Sequence, residues 1–429
     1  MSPVPIRSAG GRPIVFLHIG AIKTGTTYLQ QVMYANRNRL AAAGLLVPGK
    51  TWGRQVLAVQ DVMRLGRSDP HIRRRSQGAW QELVDEALAS PDNVSVISME
   101  YLSVADRHTA REVIRTLAGA DVRVVLTVRD MVALLPSQWQ TLVHNNGTTS
   151  WPEFLAGLPQ PTERPLPFLG VLRPLAAQFH RNQNVARMLR VWAPLVAPGG
   201  LHVVTVPRTP CPPDELWRRF ASVIGVDPSM ATRPPVGTNP SLGHASSALL
   251  RRLNLRLGPM SQSEYSWTIK EPVAMEVLAR RTSEDAKARL TRDAYDLALR
   301  WNALIRRAIG AAPAAVTGDL EDLPTVTDAG VRDSLPELPE VPQTAAMLDA
   351  AEVAAAAFAE HARRRSRRLR RAGVTVELAE RPPVSALRGE WEAAEDPVEA
   401  AAEELAGRAR ENAALLRRIR AERARGAGT

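Results

Sequence analysis

The residues best equipped for chemistry lie in one short string near the start of the chain, His18-Ile-Gly20-Ala-Ile-Lys23-Thr24-Gly25-Thr26-Thr27. An apolar run, Ile14 to Ile19, precedes the string and reads as a buried strand. A helical stretch follows from about Thr26 to Ala43 and is ended by Gly44. A loop between a strand and a helix can offer backbone N–H groups and a helix N-terminus to an anion. Gly20 and Gly25 permit the tight turn and close approach of a ligand. Lys23 adds a cation, and Thr26 and Thr27 add hydroxyls. In the ATP-type loop G-x-x-x-x-G-K-[ST] the lysine follows the second glycine. Here Thr26 stands at that place and the lysine lies inside the loop. From there Lys23 can reach charge that develops on the bridging oxygen of a departing phosphate. A chance Gly/Thr turn after a strand is the plain alternative.

A second cluster follows Val122–Val128, the strongest strand pattern in the chain. Arg129 ends that strand, Asp130 follows, and Pro136-Ser137 opens the next helix-like stretch, which runs to His144. Proline is tolerated in a first helical turn and breaks a helix interior. Arg129 and Ser137 so placed can hold one phosphate by charge-assisted hydrogen bonds. Asp130 is better suited to brace Arg129 or the helix start than to hold a metal. Glu100 follows a third strand, Val94–Ser98, and is the candidate general base. A capping or salt-bridged carboxylate is its alternative role. His18 either lines the loop or is a satisfied core histidine. His144 is an alternative base or an exposed helix-end residue. No His/Cys cluster has metal-ligand spacing, and no resident metal is expected.

With both motifs in view, the chain resembles the sulfotransferase superfamily, in a bacterial branch. In that family a Lys-[Ser/Thr]-Gly-Thr-Thr loop binds the 5'-phosphosulfate of 3'-phosphoadenosine 5'-phosphosulfate (PAPS), and Lys23-Thr24-Gly25-Thr26-Thr27 matches it throughout. An arginine at a strand end with a serine eight positions later binds the 3'-phosphate, a spacing matched by Arg129 and Ser137. The proline that usually follows the Arg-Asp pair is Met131 here. Ile97-Ser98-Met99-Glu100 is similar to branches that act on carbohydrates, where a glutamate at this place is the base. The resemblance spans roughly 14–319 and is strong only at the two motifs. It implies PAPS as donor, no metal, and transfer of a sulfuryl group to a hydroxyl of a carbohydrate, a glycolipid or a small metabolite. The catalytic pair would be Lys23 and Glu100. An ATP-dependent P-loop phosphotransferase and a catalytically idle scaffold are the alternatives.

These residues need a scaffold, and strands alternating with helices predict an α/β fold. It would be a P-loop-type parallel sheet flanked by helices, carrying a helical C-terminal extension. The chain of 429 residues divides on paper into an N-terminal tail (1–12), one α/β domain (13–320), a Pro- and acid-rich linker (321–344) and an Ala/Arg/Glu-rich tail (345–429). That tail has high helix propensity but sparse apolar positions, so it reads as peripheral. Basic residues exceed acidic ones by 11. The excess suits an anionic ligand without choosing one. The basic run His361–Arg371 reads as a solvated helix face, so no nucleic acid is expected. The single cysteine, Cys211, excludes an intrachain disulfide and fits a cytoplasmic, reducing setting. No apolar run is long enough for a transmembrane span. Arg233 and Asn239 sit in a loop that can close over the 3'-phosphate, with an ordinary surface loop as the alternative, and Trp52, Trp139 and Trp151 offer aromatic faces, with ordinary packing as theirs.

Overall fold

The computed structural model describes residues 11–65, 70–90, 94–162, 174–234, 241–281 and 284–426. Most of the N-terminal tail, Asn239, and parts of 52–75 and 147–173 lie outside the described residues. The chain groups into two compact units. One holds Met1–Leu134, Gly157–Thr238 and Ala294–Arg332; the other holds Leu135–Ala156, Asn239–Asp293 and Asp333–Thr429.

The first unit is α/β. Its strands β1 (Ile14–His18), β2 (Leu45–Leu46), β3 (Val94–Ser98), β4 (Asp121–Val128), β5 (Leu201–Thr205) and β6 (Ala315–Thr317) form one sheet in the order β2-β3-β1-β4-β5-β6. Every pair is parallel. A parallel sheet needs both faces covered, which is why β1 reads as an unbroken apolar run rather than an alternating one. Ile14 to His18 are all buried. On one face Phe16, Val96, Val125 and Val204 pack against Leu29, Val32 and Met33 of the helix Thr26–Ala35. Trp217 and Phe220 of the helix Glu215–Ile224 complete that layer. Each such fully buried large side chain contributes about 1.5–3 kcal/mol.

The second unit is helical. Its main elements are His244–Arg256, Thr344–Arg371, Val384–Glu392 and Pro397–Gly426. The two longest run side by side in the same direction. The Asn412 amide donates to the Phe358 carbonyl at 3.0 Å, and Ala362 and Leu369 share a cluster with Leu415 and Ile419. Between them the chain returns along the second helix, where the Ala379 N–H donates to Glu411 and Arg381 pairs with Glu404. The tail expected to be peripheral is therefore a packed bundle. Its seam is largely alanine, with Ala350, Ala351, Ala354, Ala355, Ala401, Ala402, Ala406 and Ala409 all buried. Small side chains let helix axes approach closely, so few large apolar residues are required.

Two further expectations change. The stretch 321–344 is not bare linker: it contains the short helix Ala329–Ser334, and Asp322 is buried beneath Arg219 and Thr205. The single α/β domain 13–320 also yields residues 135–156 and 239–293 to the helical unit. Among the described residues no helix is long and apolar enough to cross a membrane.

Candidate active site

The strand order reverses on either side of β1. The connection leaving β1 goes to β2, and that leaving β4 goes the other way to β5. Ligands of open parallel sheets bind beyond the C-terminal ends of strands at such a point. The loop after β1 and the turn after β4 meet there.

Strand register brings Ser98, His18 and Thr127 to the C-terminal end of one face of the sheet, on the neighbouring strands β3, β1 and β4. They form a buried hydrogen-bonded row: His18 Nδ1 lies 2.8 Å from Ser98 Oγ, and its Nε2 lies 3.2 Å from Thr127 Oγ1. Thr127 Oγ1 also meets Thr24 Oγ1 at 2.6 Å, and the Thr24 hydroxyl donates to the Ala21 carbonyl at 2.6 Å. Burial pushes the His18 imidazole down to about 3, so it is neutral at physiological pH. His18 is thus a satisfied core histidine, and the row props the loop from beneath.

The loop then turns over this row. Ala21 N–H donates to the Thr127 carbonyl at 3.1 Å, which ties it to β4. Gly20 has φ of +37°, and a Cβ there would lie 2.7 Å from Thr26 Oγ1 and 2.9 Å from Thr127 Oγ1. Gly25 has φ of +83° and abuts Leu216, so neither position admits a side chain. Lys23 takes φ of +71°, a conformation uncommon outside glycine and typical of constrained functional loops. The first backbone bond of the following helix runs from Leu29 N–H to the Gly25 carbonyl at 3.1 Å. The N–H groups of Thr26, Thr27 and Tyr28 therefore precede the helical ladder and point to its N-terminal end. Thr26 Oγ1 is buried and has no hydrogen-bond partner among the described residues. A buried hydroxyl left unpaired costs about 1–3 kcal/mol, which a ligand oxygen would recover.

Arg129 follows β4 and joins the two motifs: its Nη1 donates to the Lys23 carbonyl at 3.3 Å. Burial lowers its affinity for a proton, opposed by the neighbouring Asp130. Asp130 braces the helix start, as its Oδ1 accepts from Val132 N–H at 2.9 Å and from the Asn302 amide at 2.8 Å. Asn302 Oδ1 accepts in turn from Met131 N–H at 3.0 Å. These caps explain a correction. The helix begins at Met131 rather than Pro136, so Pro136 lies inside it and leaves the Val132 carbonyl without its usual donor. Ser137 falls in the second turn, on the stretch grouped with the helical unit.

Glu100 opens a 3-10 turn just past β3. Gln30 reaches it at 3.4 Å and also donates to the Ser98 carbonyl at 2.9 Å. Burial raises the Glu100 carboxyl above the usual range, against the pull of its own backbone N–H, Gln30 and the Lys23 ammonium. Lys23, Thr24, Gly25, Thr26, Thr27, Arg129 and Glu100 are thus gathered at one end of the sheet. Thr24 serves through its backbone there, since its hydroxyl is spent inside the loop.

Other predicted positions lie elsewhere. Arg233 is held through its backbone by Asn36, at the far end of the helix Thr26–Ala35. Trp139 and Trp151 are core residues of the helical unit, 5.2 Å apart with His244 against them. His144 is the last residue of its helix and belongs to the helical unit. Three contributors escaped sequence reasoning: Gln30, Thr127, and Gln183, whose amide donates to the Ile22 carbonyl at 3.0 Å. Arg208, just past β5, is a fourth, a cation whose field reaches Asp130. Only its place after a strand end signals it.

The arrangement is an anion cradle: a left-handed loop, a helix N-terminus, an unpaired buried hydroxyl and three cations, with a carboxyl of raised proton affinity beside Lys23. Among the described residues no three His, Cys, Asp or Glu side chains converge. Compared with protein-family models, curated proteins and solved structures, the chain gives no match.

Proposed function

We propose that the chain is a PAPS-dependent sulfotransferase. The observation that carries this reading is the contact between Arg129 and the Lys23 carbonyl, over a loop whose Thr26 hydroxyl lacks a partner. It puts the 5'-phosphosulfate loop and the 3'-phosphate arginine of the resemblance side by side. In this reading the loop N–H groups, Thr26 and Thr27 bind the phosphosulfate, and Arg129 anchors the 3'-phosphate. An acceptor hydroxyl oxygen attacks sulfur while the bond from sulfur to the bridging phosphate oxygen breaks. Glu100 takes the hydroxyl proton, and Lys23 stabilises the charge on the departing 3',5'-adenosine bisphosphate. The raised proton affinity of Glu100 suits a group that accepts a proton. The acceptor is a hydroxyl of a carbohydrate, glycolipid or small metabolite, and the single cysteine suits a cytoplasmic setting.

Calorimetric titration with 3',5'-adenosine bisphosphate, with ATP and 5'-AMP as controls, tests the donor site. Selective binding of the bisphosphate, lost in Arg129→Ala, is expected. Equal binding of ATP, or no binding, would remove the reading and leave the ATP-dependent or scaffolding alternatives.

A further inference from the structure

The charge of this protein is unevenly placed. Residues 361–371 and 417–425 hold twelve arginines and one glutamate, a surplus equal to the chain's whole net charge of +11. The remainder of the chain is formally neutral. These two segments are the C-terminal ends of the helices Thr344–Arg371 and Pro397–Gly426, which run in the same direction. The fold thus brings both arginine runs to one end of the helical unit, where Leu369 and Ile419 share a buried cluster. Some of the charge is used internally. Arg363 and Arg364 pair with Glu360, Arg417 pairs with Glu264, and Arg425 pairs with Glu422. Arg368, Arg371, Arg418 and Arg423 are exposed and make no ion pair among the described residues.

Two neighbouring features are apolar. Trp267 is 60% exposed, and its carbonyl accepts from Arg365 at 2.5 Å, so its ring stands at the edge of the arginine field. A cleft of about 460 Å³ in the same unit is lined by Leu257, Pro259 and Met260 and by Arg256, Arg410 and Arg417. Arg417 joins the two, since it pairs with Glu264, three residues before Trp267. Guanidinium groups grip phosphate bidentately, and tryptophan prefers the boundary between lipid headgroups and acyl chains. A charged field alone would suit any polyanion. The exposed indole and a cleft lined by both apolar and arginine side chains suit an amphipathic one.

We infer that this end of the helical unit docks on an anionic lipid surface, with Trp267 at the interface, the arginines on headgroup phosphates and the cleft receiving one headgroup. The surface belongs to the helical unit alone, and the inference stands whether or not the sulfuryl reading does.

The test uses the full chain in cosedimentation with vesicles of phosphatidylcholine alone or with roughly 30% phosphatidylserine. Binding to the anionic vesicles only is expected, weakening as salt rises from about 0.1 to 0.5 M. Changing Arg368, Arg371, Arg418 and Arg423 together to Ser should weaken it by more than about tenfold, and changing the same four to Lys should retain most of it. All four are exposed, so circular dichroism should be unchanged in both variants. Trp267→Ala should lose a further severalfold without altering the salt dependence. Equal binding to neutral vesicles, or undiminished binding by the serine variant, would overturn the inference. So would displacement from vesicles by a single-stranded oligonucleotide bound at least about tenfold more tightly, which would assign the surface to nucleic acid instead.

Discussion

The loop end of the sheet and the seam of the helical bundle treat buried polar groups in opposite ways. Along the seam of the two longest helices the buried Asn412 and Arg408 are paired. Asn412 donates to Phe358 and Arg408 and accepts from Arg365, Arg408 pairs with Glu404, and Arg252 reaches both Asp396 and Glu399. At the loop, Thr26 Oγ1 has no partner, Lys23 sits at positive φ and Glu100 is buried against its preference for charge. Satisfied polar groups specify a structure. An unpaired hydroxyl beside a lysine at positive φ, held up by a satisfied row beneath them, is an arrangement that a ligand would complete.

The contrast can be broken most forcefully at Phe358, fully buried in the bundle. Phe358→Ala should cost about 3–5 kcal/mol in denaturant unfolding, as a purely structural residue would. Lys23→Ala should do the reverse, lowering turnover by about 2.7–4 kcal/mol of transition-state stabilisation while the unfolding midpoint stays put. A sharper division runs between adjacent hydroxyls. Thr24→Val breaks two buried hydrogen bonds and should destabilise by about 1–3 kcal/mol, whereas Thr26→Val, which removes an unpaired buried hydroxyl, should raise stability and weaken bisphosphate binding. Equal effects of the two valines on unfolding would erase the distinction between prop and cradle.

A further effect is pH-dependent and emerges only gradually along the pH axis. His18 is held neutral by burial, with its proton affinity depressed from the ordinary 6.5 to about 3. The unfolded chain therefore takes up this proton first. Stability from His18 is complete above about 6.5 and is lost as pH falls toward 3, at about 1.4 kcal/mol per unit. His18→Asn should flatten that part of the stability profile, and a slope unchanged by the substitution would place the protonation elsewhere.

Much of this was legible in the sequence. Strands β1, β3, β4 and β5 announce themselves because a sheet covered on both faces demands continuous apolar, β-branched segments. Strand β6 does not, since Ala315–Thr317 is a short and largely exposed edge. The first loop was readable because its glycines, lysine and threonines are contiguous. The start of the helix after β4 was not. The groups that cap it at Met131 include Asn302, far along the chain, and proline propensity pointed to position 136 instead. The bundle was underestimated because a seam of alanines carries little hydrophobic signal. The two arginine runs each look like an ordinary solvated helix face; only the parallel course of their helices joins them.

Asn302 also sets a schedule. Its amide touches Asp130 across 172 residues of chain, and it further donates to the Pro324 carbonyl. A ribosome adding roughly 5–20 residues per second needs on the order of ten to thirty seconds between the two partners. During that interval the nascent chain has β1, its loop and β4, but not the clasp that fixes the turn carrying Arg129. The loop end of the sheet is therefore among the last parts of the first unit to receive all of its contacts.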